Sequence, residues 1–199
     1  MRFHKFISTI LHPIVLPTLG VLLYFIFMSQ PSERRLKTII LGLVFTLTYL
    51  IPLLVLVLLK AVGLIKSFQV STIKERRIPI VFMIAVLYFL GNLIIGIPSE
   101  RNLGILFYGT SLSLVCIYFL FSFKLKSSLH LVSMGNMIGF FLILTNLNNE
   151  TILPLILILI LLSGLLASSR LSLKAHTPVE LLLGFSLGIT CQFFVFFLL

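Results

Sequence analysis

The sequence predicts an all-α fold: a polytopic transmembrane helical bundle of about seven spans, six being possible. Three observations lead there. The 199 residues are 59% hydrophobic and 10% charged, with a mean hydropathy of +1.22, whereas soluble domains are roughly 45–50% apolar and about 25% charged. Apolar runs near the length needed to cross a bilayer, about 20 residues, recur from end to end. The 15 Lys and Arg, against 5 Asp and Glu, collect where those runs stop, as interfacial anchors do. Seven spans use about 140 residues, so a single transmembrane domain over residues 1–199 is expected. Any chemistry must then come from the membrane helices and their ends.

The runs fall at 7–28, 38–59, 79–97, 103–122, 130–146, 152–167 and 179–199. The first follows Arg2 and Lys5, but it lacks a small-residue cleavage site and contains Pro13 and Pro17. It reads as a membrane helix kinked near its start rather than as a signal peptide. The sixth is the shortest. Alternate loops face opposite sides: side X carries residues before the first span and loops 60–78, 123–129 and 168–178, with 11 cations, and side Y carries loops 29–37, 98–102 and 147–151, with 4. Taken at face value the positive-inside rule makes X cytoplasmic, but without Lys74, Arg76, Arg77, Arg170 and Lys174 the balance is 6 against 4, which leaves the orientation open. His4, His12, His130 and His176 also fall on or near X.

Several function classes drop out. The chain has no Asp, and its carboxylates are Glu33, Glu75, Glu100, Glu150 and Glu180, which argues against a carboxylate-lined two-metal site. Cys116 and Cys191 lie in apolar runs and suggest neither a disulfide framework nor a thiolate metal site. Nucleic-acid binders present their cations on a soluble face interleaved with aromatics. Despite the +10 charge, no nucleic acid is expected as a partner, and no cofactor or metal.

Three X-side segments supply what metal-free phosphoryl transfer needs: Lys74-Glu75-Arg76-Arg77-Ile78-Pro79, Ser127-Ser128-Leu129-His130, and Ser169-Arg170 through His176 to Glu180. Charge on the equatorial oxygens of the transferring group calls for clustered Arg and Lys. Two histidines can divide the remaining work, one attacking phosphorus and one protonating the leaving oxygen.

These segments resemble the motifs of the type 2 phosphatidic acid phosphatase superfamily of membrane lipid phosphatases. Its third motif, Ser-Arg, five residues, His, three residues, Asp, is reproduced by Ser169-Arg170, His176 and Glu180, with Glu for Asp. Its second, Pro-Ser-Gly-His, is matched by Ser128 and His130, with Ser127 for Pro and Leu129 for Gly. Its first, Lys, six residues, Arg-Pro, is matched loosely by Lys74, Arg77 and Pro79, with shorter spacing. The resemblance covers about residues 74–188 and leaves the two spans within 1–60 outside. It implies a phosphatase/haloperoxidase-like core, in a multi-pass protein of the bacterial inner membrane. It implies His176 as nucleophile, Glu180 orienting its ring, and His130 as acid and then base. Arg170, Lys74, Arg77 and Ser128 would hold the phosphate.

Plainer roles compete at the same positions. Thr177-Pro178-Val179-Glu180 is also a capping box, which is compatible with orienting His176. Lys74, Arg76 and Arg77 read equally as snorkelling anchors, Arg76 as only that. His130 alone reads as an interfacial or core histidine, and His12 as helix-end chemistry beside Pro13. Gly135 and Gly139, and Gly184 and Gly188, form two GxxxG pairs. If those faces meet, the two histidines are offset by about three residues, roughly 4.5 Å of rise. The function expected is a membrane lipid phosphatase acting on a lipid phosphate or diphosphate. The alternative is a degenerate member that binds anionic lipid or scaffolds partners. A transporter fits less well, since no charge lies mid-span.

Overall fold

The computed structural model describes residues 2–28, 33–68, 70, 72–148 and 152–199, so Glu150 and part of the 29–37 and 147–151 loops lie outside the described residues. Among those described the chain is all helical, without strands. The helices are α1 (Arg2–Ile10), α2 (Leu16–Phe27), α3 (Arg34–Phe45), α4 (Ile51–Ala61), α5 (Ile73–Ile95), α6 (Arg101–Leu120), α7 (Leu129–Asn148), α8 (Leu153–Ser172) and α9 (Pro178–Leu198). Six segments are long and apolar enough to cross a membrane: Arg34–Ala61, Ile73–Ile95, Pro98–Phe123, Leu129–Leu147, Leu153–Ser172 and Pro178–Leu198. They correspond one to one with the second to seventh predicted runs, and the chain is a multi-pass membrane protein. Their outward faces carry large apolar side chains such as Leu161, Leu182 and Phe197, all exposed, as a lipid-facing surface requires.

The first predicted span is corrected. Residues 7–28 do not make one kinked helix; the chain breaks between α1 and α2. Pro13 has no N–H to donate and its ring clashes with the preceding turn, while Pro17 sits in the first turn of α2, where a missing N–H costs nothing. α2 has 12 residues, about 18 Å of rise, short of the ~30 Å hydrocarbon core. Together with the turn before it, the chain reaches from His12, whose ring meets that of His130, to Tyr24, which lies beside Glu100.

A second break has the same origin. α3 and α4 form one long segment through a π-helical turn at Thr46–Leu50, just before Pro52. The proline cannot donate back to the preceding turn, so the bonding pattern widens there. Thr48 donates its hydroxyl to Val44 O at 2.9 Å.

α7 is the central helix. Its Met134, Phe140, Phe141 and Leu144 are fully buried with Tyr24 of α2, Phe107 of α6 and Leu166 of α8. Its tightest partner is α9, and here the GxxxG expectation is met in kind but not in register. A Cβ on Gly188 would fall on the carbonyl oxygen of Val132, one on Gly135 would strike Phe185 O, and Gly184 lies against Ser128 O. The glycines therefore interleave about one turn out of step, and His130 lies deeper relative to His176 than matched pairs would place it. Between the two helices and α6, Gln192 donates to Asn136 Oδ1 and to Leu106 O, both at 3.0 Å, and Ser113 donates to the same Asn136 oxygen at 3.1 Å. Asn136 thus ties helices together, whereas Asn92 pairs with Tyr108 on the exposed side of α5 and α6.

Candidate functional site

The spacing in the third motif is a helix–reversal–helix. α8 carries Arg170 in its last turn and ends in a Schellman arrangement, with Ala175 N donating to Arg170 O at 3.1 Å and Lys174 N to Leu171 O at 2.8 Å. Lys174 takes the left-handed conformation at φ 51° that the reversal requires. His176 follows at once, and Thr177 caps α9: Glu180 N donates to Thr177 Oγ1 at 3.3 Å and Thr177 N donates to Glu180 Oε2 at 3.2 Å. The same Oε2 lies 2.8 Å from His176 Nδ1. Capping and orienting are therefore done by one carboxylate. Because a carboxylate accepts, His176 Nδ1 carries the hydrogen and Nε2 keeps its lone pair.

His130 stands in the first turn of α7. The loop before it is fixed by Lys124 at φ 59°, which closes the end of the preceding helix, and by Ser128 N donating to Glu180 O at 3.1 Å. That last bond ties the second motif directly to the third. The ring of His130 meets His12 edge-on at 5.3 Å between centroids, and its Nε2 lies 3.2 Å from Ser8 O and 3.4 Å from Ser8 Oγ. Arg170 Nη1 donates to Ser8 Oγ at 2.8 Å. A hydrogen bond of 3.3 Å from Ile14 N occupies His12 Nδ1, leaving its hydrogen on Nε2.

The first motif is placed differently from expectation. Thr72 and Glu75 form a capping box that starts α5 at Ile73, well before the apolar run. Lys74, Arg76 and Arg77 are thus on a helix, where successive side chains point about 100° apart. Only Arg76 turns inward. Its Nε donates to Val70 O at 2.8 Å and its Nη1 to Ser127 O at 3.5 Å. Val70, a β-branched residue, is held at φ 43°, a conformation such residues rarely adopt.

These groups meet at one end of a cavity of about 170 Å³. Its polar end is lined by His12, Arg76, His130, Arg170 and His176. The rest is mostly apolar, apart from Ser133 and Thr110, and descends α5 along Pro79, Ile80, Met83 and Leu87, a single helix face, to Leu114 and Thr110 of α6. From Arg76 to Leu87 is eleven residues, about 16 Å, or half the hydrocarbon thickness. Pro13, Pro17, Pro52 and Pro79 all line it.

Of the residues named from sequence, the structure brings together His176, Glu180, His130 and Arg170. It does not bring Lys74 and Arg77, which are exposed and do not line the cavity. Ser128 is fully buried against the start of α9, its hydroxyl without a partner, and also lies off the cavity wall. Leu129, standing where the second motif has glycine, lines the cavity instead. Sequence reasoning missed Ser8 and set aside His12 and Arg76. The available signal was the run His4, Ser8, His12 at four-residue steps, one stripe of a helix.

Burial pushes the His176 imidazole below its ordinary 6.5; the hydrogen bond that His176 donates to Glu180 works against this, and the charges of Arg170 and Arg76 reinforce the depression. The net effect favours the neutral imidazole near pH 7. Among the described residues no group of three His, Cys, Asp or Glu is arranged to hold a metal ion. What the arrangement can do is hold an anion between Arg170 and Arg76 while a neutral imidazole faces it. No protein-family model, curated protein or solved structure matches this chain.

Proposed function

We propose that the chain is an integral membrane lipid phosphatase of the bacterial inner membrane. It hydrolyses a phosphomonoester or diphosphate at a lipid head through a phosphohistidine, using side chains alone. The observation that carries this reading is the His176–Glu180 pair at the polar end of a cavity shared with His130, Arg170 and Arg76, with apolar walls beyond. The phosphate sits at the span ends and the lipid chain enters the apolar part.

In the first step His176 Nε2 attacks phosphorus. The P–N bond forms as the P–O bond to the lipid breaks, and protonated His130 gives its proton to the departing oxygen. In the second, His130 takes a proton from water, the water oxygen bonds to phosphorus and the P–N bond breaks, releasing inorganic phosphate. Arg170 and Arg76 offset the charge that builds on the equatorial oxygens. Arg76 takes the place first expected of Lys74 and Arg77.

The test is phosphate release by purified protein from phosphatidic acid, phosphatidylglycerol phosphate, undecaprenyl diphosphate and phosphorylated lipid A. His176→Ala should lose release by about 10³-fold or more while remaining monodisperse in detergent. Unchanged release in that variant overturns the assignment. Leu129 on the cavity wall favours the second reading, a degenerate lipid-binding member, and that reading holds if the wild type binds these lipids but releases nothing from any of them.

A further inference from the structure

We propose that Ser8, on the N-terminal helix outside the phosphatase-like region, is a positioning residue of the phosphate site: its hydroxyl aims Arg170 and its carbonyl orients His130. The inference rests on the phosphatase reading and extends it to a part of the chain that none of the three motifs reaches.

α1 is placed to do this. One face carries Phe3, Phe6 and Ile10, exposed at 57%, 60% and 50%, and the flanking Arg2 and Lys5, the pattern of a helix lying in a membrane interface. The other face turns His4 and Ser8 toward the end of α8. His4 Nδ1 lies 3.2 Å from Ser169 Oγ, and Leu11 anchors the helix end in the main core. Ser8 is thereby buried, at 8% exposure, between two groups on different helices.

Each of its oxygens has a separate effect. An arginine side chain has several free torsions, and the 2.8 Å bond from Nη1 to Ser8 Oγ removes most of that freedom. The buried Arg170 Nε has no partner, and Arg170 lines the cavity, so a donor remains for an anion. A backbone carbonyl only accepts, so Ser8 O, 3.2 Å from His130 Nε2, keeps the hydrogen on that nitrogen whether the ring is neutral or charged. His130 Nδ1 is then the nitrogen that gains and loses the proton. The ring of His12 also meets that of His130 edge-on. The two histidines of the site are thus held in opposite senses, His176 by Nδ1 with Nε2 reactive, and His130 by Nε2 with Nδ1 reactive.

The experiment compares wild type, Ser8→Ala and Ser8→Thr for lipid-phosphate hydrolysis, with binding of inorganic orthovanadate in detergent as a readout independent of turnover. Ser8→Ala should raise KM and weaken orthovanadate binding about tenfold, the scale of one hydrogen bond to a charged group. Its kcat should change less than about threefold and its Tm should stay put. Ser8→Thr, which keeps the hydroxyl, should restore both constants. Unchanged KM and binding in Ser8→Ala overturn the proposal, as does a gain in kcat/KM, which would make Ser8 a plug in the anion's place. A fall in Tm without rescue by Ser8→Thr reduces it to a packing residue and also overturns it. If wild type binds orthovanadate but hydrolyses nothing, the phosphatase reading fails while weakened binding in Ser8→Ala sustains the role of Ser8. If wild type does not bind it, both fall.

Discussion

His176 has one ring nitrogen committed to Glu180, and that commitment governs what its other nitrogen can do. Glu180→Gln isolates the effect, because Gln at the third helical position still completes a capping box; α9 should start as before while the charge beside the imidazole is gone. The expected result is a plateau rate lower by about 10²–10⁴-fold. The pH profile should move as well. In the wild type, burial and then the two arginines keep the His176 pKa below 6.5 against the raising influence of Glu180, so the acidic limb of kcat/KM lies below pH 6.5. Removing Glu180 takes away the raising influence, and the limb should shift to still lower pH. Profiles of the two proteins side by side check this, and a limb that moves upward contradicts the geometry. The same depression has a stability sign. The unfolded chain takes up the proton first as pH falls, so the contribution of His176 is complete above about pH 6.5 and is lost as pH falls through its folded pKa. At this scale His176, Glu180 and Arg170 were legible because their spacing lies within one reversal between two helices. Arg76 was not, since choosing among Lys74, Arg76 and Arg77 requires knowing that a capping box at Thr72 makes all of them helical.

Two helix starts set the distance between His130 and His176, and the contact of α7 with α9 holds those starts in place. Glycine is required there by backbone approaching backbone. A Cβ on Gly188 would meet Val132 O and, at 2.7 Å, Asn136 N, atoms that belong to a helix and cannot swing aside. Gly188→Ala should force α9 outward, cost about 1–3 kcal/mol and lower hydrolysis by moving His176 away from His130. Gly164→Ala on α8, where nothing lies within 4 Å of the added carbon, is the control and should leave both unchanged. Thermal unfolding in one detergent, with activity assayed on the same preparations, separates the two. An unaffected Gly188→Ala protein would show that α7 and α9 can slide without consequence. Both glycine pairs stood out in the sequence as packing faces, because a four-residue step repeats on one side of a helix. Their register did not: Gly188 lies against Gly135, one turn off the pairing of Gly135 with Gly184 and Gly139 with Gly188, where Gln192, Asn136 and Ser113 are hydrogen-bonded to one another. The break between α1 and α2 was half legible: Pro13 and Pro17 marked the place, but separating α1 as an interfacial helix depends on Ser8 and His4 finding α8.

The cavity runs from Arg76 about 16 Å along α5 to Leu87, and under the proposed function that length would set how much of a lipid chain it takes. Six of the spans were readable from hydropathy alone, because the bilayer demands long apolar helices whatever else the protein does. The cavity between them was not readable, since its lining comes from residues on the N-terminal segment, α4, α5, α6, α7 and α8 that only the packed molecule brings together. Its position also clarifies the charge balance. Arg76 and Arg170 line the cavity, so under the proposed function part of the X-side excess of cations would serve phosphate rather than orientation in the membrane. Met83 lies seven residues past Arg76 on the cavity face, about 10 Å down, below any phosphate held at the arginines. Met83→Trp should fill the apolar part while leaving the polar end open. For a lipid phosphate with full-length chains, kcat/KM should then fall about tenfold or more, whereas hydrolysis of a chainless aryl phosphate should change less than about twofold. Equal losses on both substrates would mean that the tryptophan disturbs the polar end itself. Equal retention on both would mean that the lipid chain stays outside the bundle and the cavity plays no part in binding it.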